Sequence, residues 1–456
     1  MNHVIYRLLR LNHGLRLWLS QQFTPAGLGL LGGLFVFGLI GLDIKRSLSY
    51  QIFVFLLAIL LVSMVLSRFS RRQFSIARQL PRFGTVGIPL RYPVLIQQKN
   101  RRKSRRKSRK KSYRRRNREQ DGPILIESFA GSFPTFRTFQ SLTRQSKSRQ
   151  DWFRQMAKRR WVFAPAVDLP PLSAQNETAV TGEVLPLRRG LLRFQTLTIA
   201  CPDPLGLVNR CFSFSLPQSV LVLPQRYELP TIQLPGSRRY QSDGLALAAS
   251  IGDSEEFRAL REYRPGDSPR KIHWKSWAKL GRPVIKEEQT EYSVRHALIL
   301  DTFQAEDYSD VMEAAVAIAA SFACTIQTQE SLLDTLFVSG EAHCFTVGPG
   351  QGQTEQLLER LASVVACQDK RFNTLLTAVK LRLSYLCGCI CIFLTWDEDR
   401  QTLVEQLQAA GIPVLVLIIA PEKGLTEQPD RSCLKDSQSR LQVLNVNNIQ
   451  AGLLTL

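Results

Sequence analysis

The sequence contains no C-x-x-C pair, and its nine cysteines are scattered over 456 residues. Such an odd, dispersed set does not form the disulfide framework of a small secreted domain. The segment LCGCICIFL has alternating cysteines, and a spacing of two places Cys387, Cys389 and Cys391 on one face of a strand. We interpret them as buried free thiols rather than a metal or redox site, because a reduced cysteine behaves as a small hydrophobe. This use of cysteine is typical of a reducing cytosol.

Histidines and phosphate-binding motifs are also scarce, which leaves little support for a bound cofactor. The five histidines are dispersed along the chain, at His3, His13, His273, His296 and His343. Glycines alternate over residues 348–352 before a predicted helix, but the next residues are Gln353 and Thr354. A P-loop needs Lys followed by Ser or Thr there, and the dinucleotide-binding pattern does not fit either. We therefore interpret this segment as a turn whose helix is capped by Thr354, and we predict no cofactor.

Acidic residues are absent from a basic run at residues 99–118, which holds 14 lysines and arginines. Without these 14 charges the chain's net charge of +22 falls to +8. The run cannot bury apolar surface, so we predict a disordered insertion at residues 97–120. We expect it to bind anionic lipid headgroups through its basic side chains, represented by Arg101, Arg102, Arg105, Arg106, Arg109, Lys110, Arg114 and Arg115. There are two alternatives. The run is a solvated insertion without a function, or it binds nucleic acid, in which case Tyr113 is its one aromatic residue for stacking on a base.

Two long apolar runs lie near the N-terminus, at residues 25–42 and 49–66. Each is about long enough to cross a bilayer, which takes about 17–25 residues. The short connection predicts two transmembrane helices over residues 25–68, and no small-residue cleavage site favours a signal peptide. Arginines flank both ends of this hairpin, so the positive-inside rule places residues 1–24 and the large C-terminal part in the cytoplasm. The sequence predicts a multi-pass protein of the inner (cell) membrane with both termini cytoplasmic.

The chain after these runs contains two parts with different patterns. Residues 72–235 hold short apolar runs bounded by Gly or Pro, which predicts mostly strands and a β-sandwich resembling an immunoglobulin-like fold. Within this part, residues 141–160 form a second basic segment with aromatic residues, which favours one short amphipathic helix. Residues 293–456 alternate apolar strands with helical patterns, which is typical of a doubly wound α/β domain.

Between these parts, residues 250–292 are densest in charge, turn residues and aromatic rings. The Pro-Gly pair at residues 265–266 predicts a turn. We expect Asp267 or Ser268 to cap a helix that has Pro269 in its first turn. Gly281 is expected to end this helix, and an extended segment follows. A charged loop that leads into a Trp-bearing helix predicts a recognition surface.

This segment resembles the signature of the bacterial family called "domain of unknown function 58". The matching residues are Glu256, Phe257, Leu260, Arg261, Tyr263, Gly266, Asp267, Arg270, Ile272, Trp274, Lys275, Ala278, Gly281 and Glu291. His273 departs from the pattern, which usually has aspartate before the Trp. Upstream, the segments RRG, CPDPLGL and LVLPQ at residues 188–190, 201–207 and 221–225 are similar to further landmarks of the family.

The resemblance implies a membrane-anchored protein with a von Willebrand A-like C-terminal domain. It also implies two kinds of partner, an AAA+ ATPase of the MoxR type and a transglutaminase-like membrane protein. We expect the signature to bind the partner through Arg261, Tyr263, Arg264, Gly266, Asp267, Arg270, His273, Trp274 and Lys275. Its charged residues have an alternative role, an internal lattice of salt bridges that pins the loop to the α/β domain.

A von Willebrand A domain often holds Mg²⁺ after its first strand through an Asp-x-Ser-x-Ser motif, because the ion prefers oxygen ligands. The matching segment here begins with Asp301, but Phe303 and Ala305 replace both hydroxyl residues. Asp397, at a later predicted strand end, offers another carboxylate. We interpret Asp301 and Asp397 as a degenerate site and predict no bound metal.

These observations favour a membrane-tethered, non-enzymatic interaction or assembly factor. One alternative is a hydrolase or peptidase-like enzyme that uses the signature carboxylates, His273 as a base and Ser268 or Ser276 as a nucleophile. The other is a membrane-bound nucleic-acid-binding protein that uses the basic insertion.

Overall fold

The structure is a computed structural model of the 456-residue chain. It describes residues 2–40, 47–69, 73–99, 122–131, 133–146, 148–170, 177–230, 255–265, 267, 269, 272–290, 295–326, 332–348, 351–421 and 439–456. They form two compact units, Met1–Gln225 and Arg226–Leu456. The chain is thus multi-domain and combines helices with sheets, as the sequence predicts.

Three helices begin the first unit: α1 (Asn2–Gln22), α2 (Pro25–Ile40) and α3 (Ser47–Phe69). Within α3, Leu48–Arg68 is long and apolar enough to cross a membrane, and only 6% of this segment is buried, unlike a core helix. The 16 residues of α2 extend about 24 Å, which is less than a hydrocarbon core of about 30 Å. Of the two spans predicted in residues 25–68, the described residues therefore support one by length and composition.

Two β-sheets form most of the remaining first unit. Their strands are β1 (Gln73–Arg78), β2 (Phe83–Thr85), β3 (Leu90–Lys99), β4 (Ile124–Phe129), β5 (Val162–Phe163), β6 (Val167–Asp168), β7 (Thr178–Pro186), β8 (Gly190–Pro202) and β9 (Asn209–Leu223). One sheet has the order β1-β3-β7-β5, and the other has the order β2-β9-β8-β4-β6. Tyr92, Val94 and Ile96 of β3 share one apolar core with Leu197 and Ile199 of β8. The two sheets therefore form the two layers around a single core.

Two helices interrupt the strands between β4 and β5: α4 (Phe136–Gln145) and α5 (Arg149–Lys158). The side chains of Thr135 and Ser148 accept hydrogen bonds from the amides of Thr138 and Asp151, which caps both helices. The prediction of a short helix within residues 141–160 is confirmed by α5, whereas α4, which begins at Phe136, was not predicted.

The N-terminal helices are joined to the sandwich at the loop between β8 and β9, residues 203–208. The Asp203 carboxylate accepts hydrogen bonds from the amides of Leu207 and Val208, at 2.8 and 3.1 Å. The same carboxylate accepts a 2.7 Å hydrogen bond from the buried hydroxyl of Ser63 on α3. One side chain thus shapes the loop and ties it to the helix that is apolar enough to cross a membrane.

The start of α2 is held by the same loop. The Thr24 amide donates to the carbonyl of Leu207 at 3.2 Å, and the Thr24 hydroxyl donates to the carbonyl of Gly206 at 2.6 Å. A Cβ atom on Gly27 would lie 2.0 Å from the Leu207 carbonyl oxygen. Glycine is therefore required where α2 approaches the loop.

The second unit contains a two-stranded hairpin and a six-stranded sheet. The hairpin pairs β10 (Glu255–Glu262) with β11 (Val284–Thr290). The sheet contains β12 (Arg295–Leu300), β13 (Leu332–Ser339), β14 (Glu341–Val347), β15 (Gly388–Phe393), β16 (Val414–Ala420) and β17 (Arg440–Asn445). Its order is β14-β13-β12-β15-β16-β17, and its neighbours are parallel except for β13 and β14. The strand order reverses between β12 and β15, which is the switch point where open α/β sheets bind ligands.

Helices cover both faces of this sheet. The helices of the unit are α6 (Trp274–Leu280), α7 (Asp310–Ile326), α8 (Gln351–Ala362), α9 (Asn373–Lys380), α10 (Glu398–Ala409) and α11 (Ile449–Leu453). Leu375 of α9 and Leu403 of α10 pack with Ile299, Cys391 and Val416 on one face. Helix α7 contacts β12, β15 and β16 and contributes no residue to that cluster, so it covers the other face.

The prediction of buried free thiols on one strand is confirmed for two of the three alternating cysteines and wrong for Cys387. Cys389 and Cys391 are buried and free on β15, with their sulfur atoms 3.7 Å apart, whereas Cys387 precedes the strand and is half-buried. Burial raises the pKa of the Cys391 thiol well above its ordinary value. Cys391 is therefore a protonated core group.

We predict that the joint between α2 and the sandwich tolerates no side chain at Gly27. Gly27→Ala should destabilise the protein by about 1–3 kcal/mol, because the added methyl group collides with backbone and forces α2 to shift. Gly29→Ala is the matched control, since a Cβ atom there meets nothing within 4 Å. Denaturant unfolding of the full chain in detergent micelles measures both, and equal stability of the two variants would contradict the close approach.

Candidate functional site

The signature residues lie on the β10–β11 hairpin and in the segment that connects its strands. The two strands pair antiparallel from Glu255 opposite Thr290 to Glu262 opposite Val284, with an irregularity after Phe257. Farther along the connection, Ile272 forms an isolated bridge with Ile285, and Val284 and Ile285 are buried. The connecting segment is therefore folded back against β11.

An ion pair closes the loop that follows β10. The Arg261 guanidinium donates to both oxygens of the Asp267 carboxylate, at 2.8 and 2.7 Å. The Arg264 amide donates to the same carboxylate at 2.9 Å. Hydrogen bonds from Arg261 and then from the Arg264 amide lower the pKa of Asp267 to about 2. Arg261 and Asp267 thus hold the loop, as the internal-lattice alternative expects.

The helix of the signature begins later than the capping residues predict. It starts at Trp274, and His273 occupies the N-cap position without a hydrogen bond from its side chain to the helix backbone. The expected cap Asp267 uses its oxygens on Arg261 and Arg264 instead, and the other expected cap, Ser268, lies outside the described residues. The predicted helix end is confirmed, because Gly281 adopts a φ of 67° and donates its amide to the Trp277 carbonyl.

The exposed side of this segment carries one aromatic ring and two cationic side chains. The Trp274 and Trp277 rings stack with centroids 5.1 Å apart and an interplanar angle of 21°. Trp274 is 64% exposed, whereas Trp277 is half-buried, so stacking holds an outward-facing indole in place. Arg264 and Lys275 are also exposed. We name Arg264, Trp274 and Lys275 the outward group.

His273 lies beside a hydroxyl group. Its Nδ1 atom is 2.7 Å from the Oγ atom of Ser276, one helical turn later. Within the part of the chain that the structure describes, no carboxylate is within hydrogen-bonding distance of the other ring nitrogen, Nε2. The pair is therefore two members of a nucleophile–base arrangement without the third group that usually orients the base.

Several predicted site residues lie outside the described residues. These are Gly266 and Arg270 of the signature, and the basic residues Arg101, Arg102, Arg105, Arg106, Arg109, Lys110, Arg114 and Arg115. Their roles stay predictions. Tyr263 is described and half-buried, and its amide donates to the Pro283 carbonyl at 3.0 Å across the hairpin.

The two strand-end acids of the six-stranded sheet are joined by an arginine that sequence reasoning missed. Asp301 follows β12 and is fully buried, and the Arg400 guanidinium contacts its carboxylate at 3.0 to 3.2 Å through two nitrogen atoms. The same guanidinium donates to Asp397, and its carbon lies 4.4 Å from the centroid of the Phe372 ring. Arg400 lies at the i+3 position from Asp397, and this spacing was the available signal.

This ion pair changes the interpretation of the degenerate site. Burial raises the pKa of Asp301, and the Arg400 charge and the amides of Phe303 and Leu394 act in the opposite direction. Phe303 stands where a hydroxyl ligand would be expected, and its ring packs against Phe372 at 5.5 Å between centroids. The Arg400 guanidinium, a cation of the chain itself, therefore bridges the two acids, and the Phe303 ring packs on Phe372 instead of offering an oxygen ligand. The absence of a bound metal stays a prediction, now with a physical reason.

Comparison with known proteins agrees with the signature. A family model described as "Protein of unknown function DUF58" matches residues 259–380, which run from β10 to α9. The chain therefore contains a region of this family, and the resemblance drawn from the signature residues is confirmed.

A relative can also be named. "Uncharacterized protein YeaD" of Bacillus subtilis (strain 168) is 25% identical over 184 residues, which cover 40% of this chain and 44% of the relative. The match thus spans less than half the length of that relative. Neither description assigns an activity or a binding partner.

We predict that the Arg261–Asp267 pair stabilises the hairpin only while Asp267 is ionised. Because the pKa of Asp267 is lowered from 3.8 to about 2 in the folded protein, its contribution is complete above the ordinary value and disappears as the pH falls through about 2. Asp267→Asn should therefore melt below the wild type at neutral pH, and the difference should shrink on acidification. Glu262→Gln is the control, since the Glu262–Arg282 pair is exposed on both sides. Melting curves over this pH range would contradict the assignment if the difference stayed constant.

We predict that Arg400 is required for the stability of the second unit. Arg400→Ala leaves the buried Asp301 carboxylate without its cation and should cost about 3–5 kcal/mol. Replacing both residues, Arg400→Met with Asp301→Leu, should recover much of that loss because no charge stays buried. Asp399→Asn, an exposed change on the same helix, is the control. Denaturant unfolding measures all three, and a wild-type stability for Arg400→Ala would show that Asp301 does not need this partner.

Proposed function

We propose that this protein is a membrane-tethered, non-enzymatic interaction or assembly factor whose signature hairpin binds an AAA+ ATPase of the MoxR type. The observation that supports it most is the outward group, in which a 64% exposed Trp274 begins the helix that follows a loop fixed by an ion pair. Trp and Arg are among the residue types that dominate binding hot spots. A preorganised loop also loses less conformational entropy on binding than a flexible one.

The division of the signature charges supports a binding role. Arg261 and Asp267 satisfy each other, so they are unavailable to a partner without breaking the loop. Among the described hydrogen bonds, none from the side chains of the outward group closes the loop. Only the backbone amide of Arg264 does so, by donating to Asp267. Two roles were expected for the signature charges, an internal lattice of salt bridges and contact with a partner. We assign the lattice role to Arg261 and Asp267, and the partner contact to the outward group.

The proposed tether is the N-terminal hairpin. We propose that α2 and α3 both span the inner membrane and leave both termini in the cytoplasm, as the flanking arginines favour. We further propose an immunoglobulin-like topology for the sandwich, a von Willebrand A-like one for the six-stranded sheet, and a transglutaminase-like membrane protein as a second partner. The basic insertion would attract anionic headgroups near the membrane exit.

A second candidate function rests on the 2.7 Å approach of His273 to Ser276. In a hydrolase of the peptidase type, His273 would take the proton of the Ser276 hydroxyl as that oxygen attacks a carbonyl group. The signature carboxylate Asp267 is already bound by Arg261, so it does not orient His273, and this favours the binding role. A nucleic-acid-binding role through the basic insertion has no support beyond charge.

We predict that Arg264→Ala and Trp274→Ala each weaken binding to a co-expressed MoxR-type ATPase, by about 2 kcal/mol if the residue is a hot spot. Melting temperatures should change little, because both side chains point to solvent. Lys279→Ala is the matched control, since Lys279 is exposed on the same helix but is not part of the outward group. The measurement is a pull-down from detergent extracts beside a melting curve for each variant.

Two results would contradict this proposal. If both variants melt well below the wild type, the outward group is structural. If both fold and bind as the wild type does, the hairpin is not the docking surface. Ser276→Ala tests the alternative enzyme, which requires a loss of hydrolytic activity with partner binding unchanged.

A further inference from the structure

Helix α1 carries an apolar stripe that faces away from the protein. Its members are Val4, Leu8, Leu11, Leu15 and Trp18, each more than half exposed. Their spacings of four, three, four and three residues place all five on one side of the helix. An exposed stripe of this length on one helix is larger than the scattered apolar residues of an ordinary surface.

The opposite side of α1 is fixed to the first unit, so the direction of the stripe is determined. The His3 ring stacks on Phe136 at 3.7 Å between centroids, and the Tyr6 ring lies 5.3 Å from both Phe136 and Phe139. The Tyr6 hydroxyl donates to the Pro134 carbonyl at 3.0 Å. These contacts hold one side of α1 against the start of α4. On the stripe, the Trp18 ring meets the Phe23 ring edge-on at 6.1 Å between centroids, and Trp18 is still more than half exposed.

The stripe continues into the part of the chain proposed to enter the membrane. Helix α1 ends at Gln22, and α2 begins three residues later at Pro25. Between them, Phe23 and Thr24 are buried and pair with the loop of the sandwich, which fixes the turn between the two helices. The chain therefore passes directly from α1 into α2, which also has exposed apolar side chains, such as Leu28 and Phe35.

The charge of α1 matches an anionic surface. The helix sequence NHVIYRLLRLNHGLRLWLSQQ contains Arg7, Arg10 and Arg16, all exposed, and no acidic residue. A shallow depression on the helix is lined by Arg7, Arg10, Leu11, Gly14, Leu15 and Trp18. Arginines beside leucines and a tryptophan are the side chains of helices that lie in a membrane interface.

We propose that α1 is an interfacial helix, which lies along an anionic bilayer surface with the stripe in the headgroup and acyl boundary. Arg7 and Arg10 contact lipid phosphates, and Trp18 sits at the depth that tryptophan prefers. The inference goes beyond partner binding but rests on the membrane tether of the proposed function. It makes α1 a second membrane contact that sets the sandwich close to the bilayer, since the other side of α1 is bound to α4 and the sandwich loop.

The test uses the full chain reconstituted into vesicles of phosphatidylcholine and phosphatidylglycerol, with and without bromine on the acyl chains. Bromine quenches only tryptophans that enter the bilayer, and subtracting the signal of Trp18→Phe isolates Trp18 among the six tryptophans. We expect brominated lipid to remove most of the Trp18 fluorescence. Leu15→Glu should abolish this quenching, because it places a charge within the stripe. Ser20→Glu is the matched control, because Ser20 is exposed on the other side of the helix, and it should quench like the wild type.

The outcomes separate this inference from the tether. Flotation of the vesicles reports the tether alone, and a chain that fails to float overturns the tether and the inference together. A chain that floats while Trp18 is unquenched, and open to acrylamide in water, overturns the inference alone. In nanodiscs that hold one chain each, no second copy of the protein is present to cover the stripe. Quenching that persists there supports lipid, whereas loss of quenching assigns the stripe to self-association and contradicts the proposal.

Discussion

The contact between Arg400 and Asp301 is the constraint on which the second unit depends. Asp301 is fully buried at the carboxyl end of the central strand β12, at the point where the strand order reverses. A carboxylate in that position needs a cation or a proton, because an unpaired buried charge is costly. Arg400 supplies the cation from the chain itself, across 99 positions of sequence. Open α/β sheets usually bind ligands at this place, but here the Arg400 side chain occupies it. The signature hairpin is therefore the stronger candidate for the functional surface.

The first unit contains a comparable constraint at Asp203. Its carboxylate orders the loop between β8 and β9 and also accepts the buried Ser63 hydroxyl of α3. The start of α2 meets the same loop, where Gly27 permits a backbone approach that no other residue would. The CPDPLGL segment, which the sequence marks only as a family landmark, is thus the joint between the N-terminal helices and the sandwich.

The sequence was informative where a pattern is local and continuous. Strands β12, β15 and β16 are unbroken apolar runs, and all of them were predicted, whereas the edge strands β14 and β17 were missed because half of their residues are only partly buried. The helix start in the signature was wrong for a different reason. Asp267 is a good capping residue by type, but Arg261 on the preceding strand takes both of its oxygens. Competition from a partner across the hairpin is not readable from helix-capping rules.

The candidate sites show the same contrast between local patterns, which can be read from the sequence, and contacts that depend on the fold. Asp301 and Asp397 were recognisable as strand-end acids, but Arg400 was not recognised as their shared partner, because its contact with Asp301 depends on the fold. The exposed stripe of α1 has a helical period in the sequence, yet only the contacts of Tyr6 and His3 show that its other side is already occupied. In both cases the residue types were visible and their surroundings were not.

The signature hairpin shows how a small motif can be rigid and still present a surface. Its charged signature residues are of two kinds: Arg261 and Asp267 face each other, and Arg264 and Lys275 face solvent. The stacked tryptophans divide in the same way, with Trp277 half-buried beneath an exposed Trp274. Arg261 and Asp267 therefore hold the loop from inside the hairpin, and the half-buried Trp277 holds the exposed Trp274 in place. That arrangement provides a preformed surface of aromatic and cationic groups, which suits the binding role proposed above.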